Sequence, residues 1–502
     1  MSLSSHFYRK MKITCPIHSA ANRTPTAIAL RDAQHVFTYA ETEAQVVACT
    51  RRLLALGMQS GNRVAILAAN SVYYVFAIFA LNRLGVSFVP LNLRWSPDSW
   101  RQTVARAGCV MILTDTEHAT AAGSLNLPVF LLGGEKSKNG NRVSEPGGYK
   151  RTTLDLQIES SLFFTSGSSG EPKGVVLTLG NHYYNALGSN QNIPLQSGDC
   201  WLASLPFYHV GGISILFRCV LAGAAAAILP RVNWKELIES DWCQVITHIS
   251  LVPTQLTQLI QSKKHREFLA GLKCILLGGA PLPVDLHQQI RDLKLPVLLT
   301  YGLTETASQV TTLTAGDPPE KLATTGRCLS YRQVSILNER GEPLSVGEVG
   351  EIAVRGEVLF AGYLNGEQKY GTNDWFRTGD LGFLDRDGYL FVRGRKDDLI
   401  ISSGENIYPA EIENVARGFA GVSDCAVIGV DDSKWGQRPL LFVAATTPKS
   451  FPVAELRKYL KRKLAKILLP ERIIVLAQLP KRLIGKVDRA ELQRVASGKM
   501  RK

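Results

Sequence analysis

Between Thr38 and Thr114, short apolar runs alternate with helical patterns, and this alternation restricts the fold more than any other feature of the chain. Thr38 to Gly57 reads as a helix: Thr38 suits an N-cap, Glu41 stands where the partner of a capping box belongs, and Gly57 suits the C-terminal stop. Strand Arg63–Ala68, helix Ser71–Leu84, strand Val86–Pro90, helix Pro97–Ala107 and strand Val110–Thr114 follow in turn. Strands separated by helices predict a parallel sheet covered by those helices. The window 71–91 is the most hydrophobic of the chain, but Asn82, Arg83 and Gly85 divide it into a helix and a strand. It predicts core packing, not a membrane span.

At 502 residues the chain exceeds one ordinary core and predicts about two to four domains or subdomains. Beyond Leu329 the pattern changes to short strands with turn signals, Gln333–Leu337, Glu348–Arg355, Trp375–Thr378 and Gly388–Val392, which predict an antiparallel or barrel-like subdomain. From Leu399 strands and helices alternate again, enough for a small α/β domain, and the boundary is set at Asp397. Lys136–Lys150 is polar and Gly-rich and predicts an exposed loop.

The net charge of +14 invites a nucleic-acid partner, but residues 451–502 hold 15 Lys and Arg against 4 Asp and Glu, about +11 of that total. The body is nearly balanced, which argues against nucleic acid and leaves the basic end for solvent or small acidic ligands. Nine cysteines include no Cys-x-x-Cys pair, and several lie in apolar runs. They predict reduced core residues, not a disulfide frame or a zinc site. The N-terminal stretch lacks the apolar core of a signal peptide, so the expected location is the cytoplasm.

The chemistry begins at Leu162–Gly174. An apolar strand, Ser161–Phe164, runs into Thr165-Ser166-Gly167-Ser168-Ser169-Gly170, followed by Glu171-Pro172-Lys173-Gly174. Hydroxyls and glycines crowded in this way let backbone N–H groups converge on an anion, with Lys173 adding positive charge. The string is not a Walker A loop, which needs Gly-Lys-Ser/Thr at the opening of a helix. Alone, it reads as readily as a flexible surface turn. Three further turns fall where strands end. They are Trp201–Gly212 with His209, Leu276–Pro281 with Gly278, Gly279 and Ala280, and Tyr301-Gly302-Leu303-Thr304-Glu305-Thr306. Open α/β sheets bind ligands at the carboxyl ends of their strands.

Five motifs, Thr165–Gly174, Tyr301–Thr306, Thr378-Gly379-Asp380, Gly394–Glu413 and Gly485-Lys486, stand in an order and spacing that resemble the adenylate-forming superfamily of acyl-CoA synthetases, luciferases and carrier-protein adenylation domains. The resemblance implies an α/β fold. Its large N-terminal region, residues 1–396, would hold two parallel-type sheets and a small β-barrel-like subdomain, followed by a small mobile α+β domain, residues 397–502. It implies ATP, Mg²⁺ and CoA as cofactor and co-substrates. In that reading Thr165, Ser166, Gly167, Ser168, Ser169, Gly170 and Lys173 hold the β,γ-phosphates, and Glu305 carries Mg²⁺ with Thr304 on the phosphate. Tyr301 stacks on adenine beside Gly278, Gly279 and Ala280, while Asp380 and Arg395 hold the ribose. Lys486 bridges the acid and the α-phosphate. Asp397 is the hinge, and Ser403, Gly404 and Glu405 line the CoA channel. One departure is Ser169, where the family more often has Thr.

For the acid, Thr304–Thr312, Gly404–Glu413 and Lys434–Pro439 are most similar to the o-succinylbenzoate–CoA ligase branch of menaquinone synthesis. The 4-chlorobenzoate and 4-coumarate ligases share much of that text. The small-molecule aryl carboxylate would then meet His209, also placed among the catalytic residues, and Ser308. An adenylation enzyme loading a carrier protein stays open as an alternative, and the resemblance allows a homodimer.

Overall fold

The computed structural model describes residues 12–133, 152–166, 172–364, 366, 374–403, 405–432, 435–445, 447–481 and 487–498. The alternation after Thr38 folds as expected. The Thr38 backbone N–H donates to Glu41 Oε2 at 2.8 Å while Glu41 N–H donates to Thr38 Oγ1 at 3.2 Å, a closed capping box. Strands Ser87–Pro90, Arg63–Leu67, Cys109–Thr114 and Val129–Leu131 lie side by side and parallel, with Glu159–Ser166 parallel to the first of them. Pro172–Thr178 and the short Gly362–Tyr363 extend this sheet antiparallel.

A second sheet has a parallel core ordered Val297–Leu303, Cys274–Leu277, His248–Leu251, Cys200–Leu202, Ala225–Ala227, Ile28–Arg31. Ser308–Thr312 and Arg327–Cys328 add to one edge antiparallel, and Val36–Thr38 to the other. Helix Val72–Leu84 is apolar on nearly every face, so it can be stable only where protein surrounds it. Its residues join those of both sheets and of helices Leu179–Asn192 and Val210–Ala222 in one continuous core. Within that core Phe79 packs on Phe217 and Tyr74 on Phe207, with ring centroids 5.5 and 5.4 Å apart.

The strands after Leu329 form an antiparallel sheet, Arg332–Leu337, Gly350–Gly356, Phe376–Leu384 and Leu390–Arg395, in that order. Its first and last strands do not pair, so the barrel-like expectation is corrected to an open sheet. The C-terminal segment builds a mixed sheet of Glu405–Ile407, Ile400–Ser402, Gly436–Ala445 and Val422–Asp432, with Arg472–Leu476 parallel to Gly436–Ala445. Strand periodicity divides its core in two. Val427, Leu441 and Val443 face helices Pro409–Arg417 and Val453–Lys463, while Ala426, Ile428, Leu440 and Phe442 face helix Arg489–Ala496. All nine cysteines are free; six are buried, but Cys328 is exposed, against the expectation of a core residue. No described helix is long and apolar enough to cross a membrane. The expected exposed loop Lys136–Lys150 lies outside the described residues.

Candidate active site

His209, Gly278–Ala280, Tyr301, Thr304, Glu305 and Ser308 lie beyond the C-terminal ends of parallel strands of the second sheet. The Val297–Leu303 strand ends in a 3-10 turn, Thr304–Thr306, and then doubles back as Ser308–Thr312. Thr306 pins the turn, accepting from Leu303 N–H at 3.1 Å through its hydroxyl. Tyr301, Glu305 and Ser308 leave this one segment toward three different groups of side chains.

Tyr301 leads to the first. Its hydroxyl donates to Asp380 Oδ2 at 2.7 Å, and Arg395 Nη1 donates to Asp380 Oδ1 at 3.1 Å. Burial, and then the Asp380 charge, push the Tyr301 hydroxyl well above its ordinary range, so it stays a donor. Thr378-Gly379-Asp380 is held from behind by Glu351, which accepts from Gly379 N–H at 3.1 Å and pairs with Arg377 at 2.7 Å. Lys396, one residue before Asp397, lies 3.6 Å from Glu351. Gly278, Gly279 and Ala280 form the turn after Cys274–Leu277, the strand beside Tyr301's own.

Glu305 leads to the second. Tyr363 donates its hydroxyl to Glu305 Oε1 at 3.1 Å, and Lys173 Nζ lies over the Tyr363 ring, 5.3 Å from its centroid. Strands Glu159–Ser166 and Pro172–Thr178 pair with Ser166 opposite Pro172 and Thr165 opposite Lys173. Gly167, Ser168, Ser169 and Gly170 lie outside the described residues, as does the Ser166 side chain.

Ser308 leads to the third. Its hydroxyl accepts from Ser214 Oγ at 3.4 Å, and Ser214 Oγ accepts from Arg218 Nη2 at 2.8 Å. Ser214 and Arg218 sit on helix Val210–Ala222, whose N-cap is His209. His209 itself is exposed at the mouth of that helix. Arg218 is 1% exposed, lies over Trp201 at 5.1 Å, and its Nε and Nη1 have no hydrogen-bond partner. Arg332, also buried, donates to the carbonyls of Gln309, Tyr184 and Ser330. Burial pushes the two guanidinium groups down to about 10 and about 9, in Arg332 with help from the Arg218 charge. No carboxylate among the described residues pairs with either. Arg332 is satisfied by carbonyls, but Arg218, buried with two unpartnered nitrogens, marks a place that an anionic ligand would complete.

Asp397 lies in the 3-10 turn Lys396–Asp398. Asp398 pairs with Arg489 at 3.0 Å, and Arg489 pairs with the buried Glu413 at 2.9 Å. Ser403 begins the turn of a hairpin in which Ser402 faces Glu405; Ser403 and Glu405 are exposed. Gly404 and Lys486 lie outside the described residues.

Sequence reading missed Ser214, Arg218, Tyr363, Glu351 and Arg489. Arg489 lies three residues beyond the Gly485-Lys486 motif, and Arg218 was visible as a lone charge in an apolar helix. Tyr363 carried no local signal, because its partner is 58 residues away.

A family description of AMP-binding enzymes matches residues 17–364, and one of the AMP-binding enzyme C-terminal domain matches residues 411–486. The chain belongs to the AMP-binding enzyme family. Within it, the chain is 35% identical over 477 residues to the 2-succinylbenzoate–CoA ligase of Bacillus cereus, covering 94% of this chain and 96% of that protein. Among AMP-binding enzymes of known structure it is similar to o-succinylbenzoate CoA synthetase (MenE) from Bacillus subtilis in complex with the acyl-adenylate intermediate OSB-AMP. The TM-score is 0.87 at 32% identity, covering 96% of this chain and 98% of that one. A double mutant of the same enzyme bound to a product analogue, OSB-NCoA, gives a TM-score of 0.71 at 32% identity, covering 96% of this chain and 99% of that one.

Proposed function

We propose that this AMP-binding enzyme is an AMP-forming ligase that joins 2-succinylbenzoate to CoA at the expense of ATP, a step of menaquinone synthesis. A carboxylate is a poor acyl donor because oxide would have to leave. Attack of one carboxylate oxygen on the ATP α-phosphorus forms the acyl-adenylate and breaks the bond to pyrophosphate. Attack of the CoA thiol on the acyl carbon then forms the thioester and releases AMP.

Asp380 accepts from the ribose hydroxyls, aligned by Tyr301 and Arg395, with adenine beside Tyr301 and Gly278, Gly279 and Ala280. Thr165 to Gly170 and Lys173 take the β,γ-phosphates, and Thr304 the neighbouring phosphate oxygen. The described residues contain no cluster of three or more acidic, His or Cys ligands, which fits Mg²⁺, a cation that takes most of its ligands from phosphate and water. Glu305 would hold it through the oxygen that Tyr363 leaves free. When bound, Mg²⁺ supplies charge neutralisation on the phosphates. Lys486 bridges the attacking carboxylate and the α-phosphate. The small domain then turns about Asp397, the boundary between residues 1–396 and 397–502, bringing Ser403, Gly404 and Glu405 to the CoA arm.

The observation that carries the choice of acid is the buried Arg218 guanidinium beside Ser214 and Ser308. An acid with one carboxylate spends it on adenylation. A dicarboxylic acid keeps a second for Arg218, and His209 stands at the entrance of the same helix. Pyrophosphate release and thioester formation, measured with ATP, CoA and a panel of aryl and alkyl acids, test this. Turnover is expected to be strongest with 2-succinylbenzoate. Robust activity confined to simple benzoates or fatty acids, or transfer to a carrier protein in preference to CoA, would refute it. The enzyme is placed in the cytoplasm, with small molecules and not nucleic acid as partners, and a homodimer is compatible with this reading.

A further inference from the structure

The small domain meets the large one at a point outside the nucleotide site. Helix Val284–Asp292 of the large domain carries Asp285 in its first turn, and helix Pro409–Arg417 of the small domain ends at Gly418. A Cβ placed on Gly418 would stand 2.4 Å from Asp285 Oδ2 and 2.9 Å from the Tyr459 hydroxyl. Tyr459 belongs to a second small-domain helix, Val453–Lys463, and burial, then the Asp285 carboxylate, push its hydroxyl pKa up. The Gly418 backbone, at φ −75° and ψ −1°, is one that any residue adopts. A side chain here must therefore displace the Asp285 carboxylate or the Tyr459 hydroxyl, so the constraint comes from across the domain boundary and not from the backbone of Gly418. The N-terminal end of one helix meets the C-terminal end of another, so their partial charges are opposite. Arg393 and Glu411, paired at 3.1 Å, join strand Leu390–Arg395 to the same small-domain helix. Only half-buried, that pair adds little stability but shares the same relative placement of the two domains.

We propose that Asp285, Gly418 and Tyr459 are positioning residues whose contact sets the small domain in the orientation used for adenylation. The inference rests on the ligase reading above. The two MenE structures compared at equal identity and equal coverage of this chain differ in similarity, with TM-scores of 0.87 for the adenylate complex and 0.71 for the product-analogue complex. The higher similarity to the adenylate complex is the reason we assign this contact to the adenylating orientation. None of the three residues belongs to the groups around Tyr301, Glu305 or Ser308, so their effect on the reaction runs through domain placement.

The test compares the full-length wild type with Gly418→Leu, Asp285→Ala and the double variant, each checked by thermal melting. Pyrophosphate release from ATP and 2-succinylbenzoate reads the first half-reaction. Thioester formation from CoA and supplied 2-succinylbenzoyl adenylate reads the second. Gly418→Leu should slow pyrophosphate release at least about tenfold while thioester formation stays within about twofold. Adding Asp285→Ala should bring the rate back up to that of Asp285→Ala alone, because it empties the space the new side chain needs. Equal loss in both half-reactions, no loss in either, or no recovery in the double variant overturns the proposal. Should Gly418→Leu fail to fold, Gly418→Ala carries the same requirement, a smaller loss confined to adenylation and relieved by Asp285→Ala. If the wild type releases pyrophosphate only with a different acid, the substrate reading fails, and the same ratios measured on that acid decide this contact independently.

Discussion

Arg218 combines two properties that rarely coincide in a structural residue: it is buried, and two of its nitrogens have no acceptor. Such a group destabilises the fold unless a ligand supplies the missing anion. Arg218→Met should therefore raise or leave unchanged the melting temperature of the free enzyme. It should also raise KM for 2-succinylbenzoate about a hundredfold, the effect of losing roughly 3 kcal/mol of charge-assisted hydrogen bonding, with KM for ATP little changed. A lower melting temperature with unaltered KM would make Arg218 purely structural. Tyr301 predicts the opposite split. Tyr301→Phe removes the hydroxyl that fixes Asp380, so KM for ATP should rise by up to about tenfold and that for the acid should not. Glu305, Asp380 and Lys173 were legible because their motifs are local strings. Arg218 stood out only as the one charge in the apolar run Ile213–Ala222, and its packing against Ser308–Thr312, distant in sequence, could not be read locally.

At the scale of elements, the back-folded pair Val297–Leu303 and Ser308–Thr312 sets the spacing of the site. Its strands slip register between Tyr301 and Gly302, and a Cβ on Gly302 would lie 1.6 Å from the Ser308 carbonyl oxygen. Gly302→Ala must push these backbones apart, so kcat/KM for ATP and for the acid should both fall by about a hundredfold or more. Circular dichroism of the bulk of the protein should change little. Helix Leu179–Asn192 supplies a pH response. His182 is buried between Phe88 and Phe217, with ring centroids 6.5 and 5.0 Å away, its Nε2 is 2.8 Å from the Ser161 hydroxyl, and burial lowers its pKa to about 3. His248, likewise buried, falls to about 4. Between their native values and the ordinary value near 6.5, the unfolded chain binds protons that the native one excludes. Stability should accordingly fall as pH drops from about 6.5 toward 4, each histidine contributing a slope of at most about 1.4 kcal/mol per pH unit. Denaturant titrations at several pH values should find that slope reduced in His182→Gln; an unchanged slope would assign the pH dependence elsewhere. The strand–helix alternation and the capping box were legible because period and cap chemistry are local. The open antiparallel sheet after Leu329 was not told from a barrel, because closure depends on whether its outer strands meet.

For the whole molecule, the two half-reactions place opposite demands on the small domain. Lys486→Ala should abolish pyrophosphate release yet leave thioester formation from supplied acyl-adenylate largely intact; equal loss in both would contradict a two-position enzyme. The proposed hinge is flanked by contacts on both sides. Lys396 is tied to Glu351 on the large domain and Asp398 to Arg489 on the small one, leaving Asp397 between two anchored neighbours. Periodicity placed the boundary at that residue from the change of pattern alone, but the anchors on either side join segments 45 and 91 residues apart and had no local signature.

The single segment from Tyr301 to Ser308 also bears on how such an enzyme can diversify. The side chains proposed to meet the nucleotide, the phosphates and the acid leave it at separate positions toward separate partners, so selection can act on one without disturbing the others. Under the proposed function, replacements at Ser214, Arg218 and Ser308 would redraw the range of acids accepted, while Tyr301 with Asp380 and Glu305 with Tyr363 would keep ATP in register. A lineage could thus inherit its activation chemistry intact and explore new carboxylates by changing a few residues on one helix and one turn.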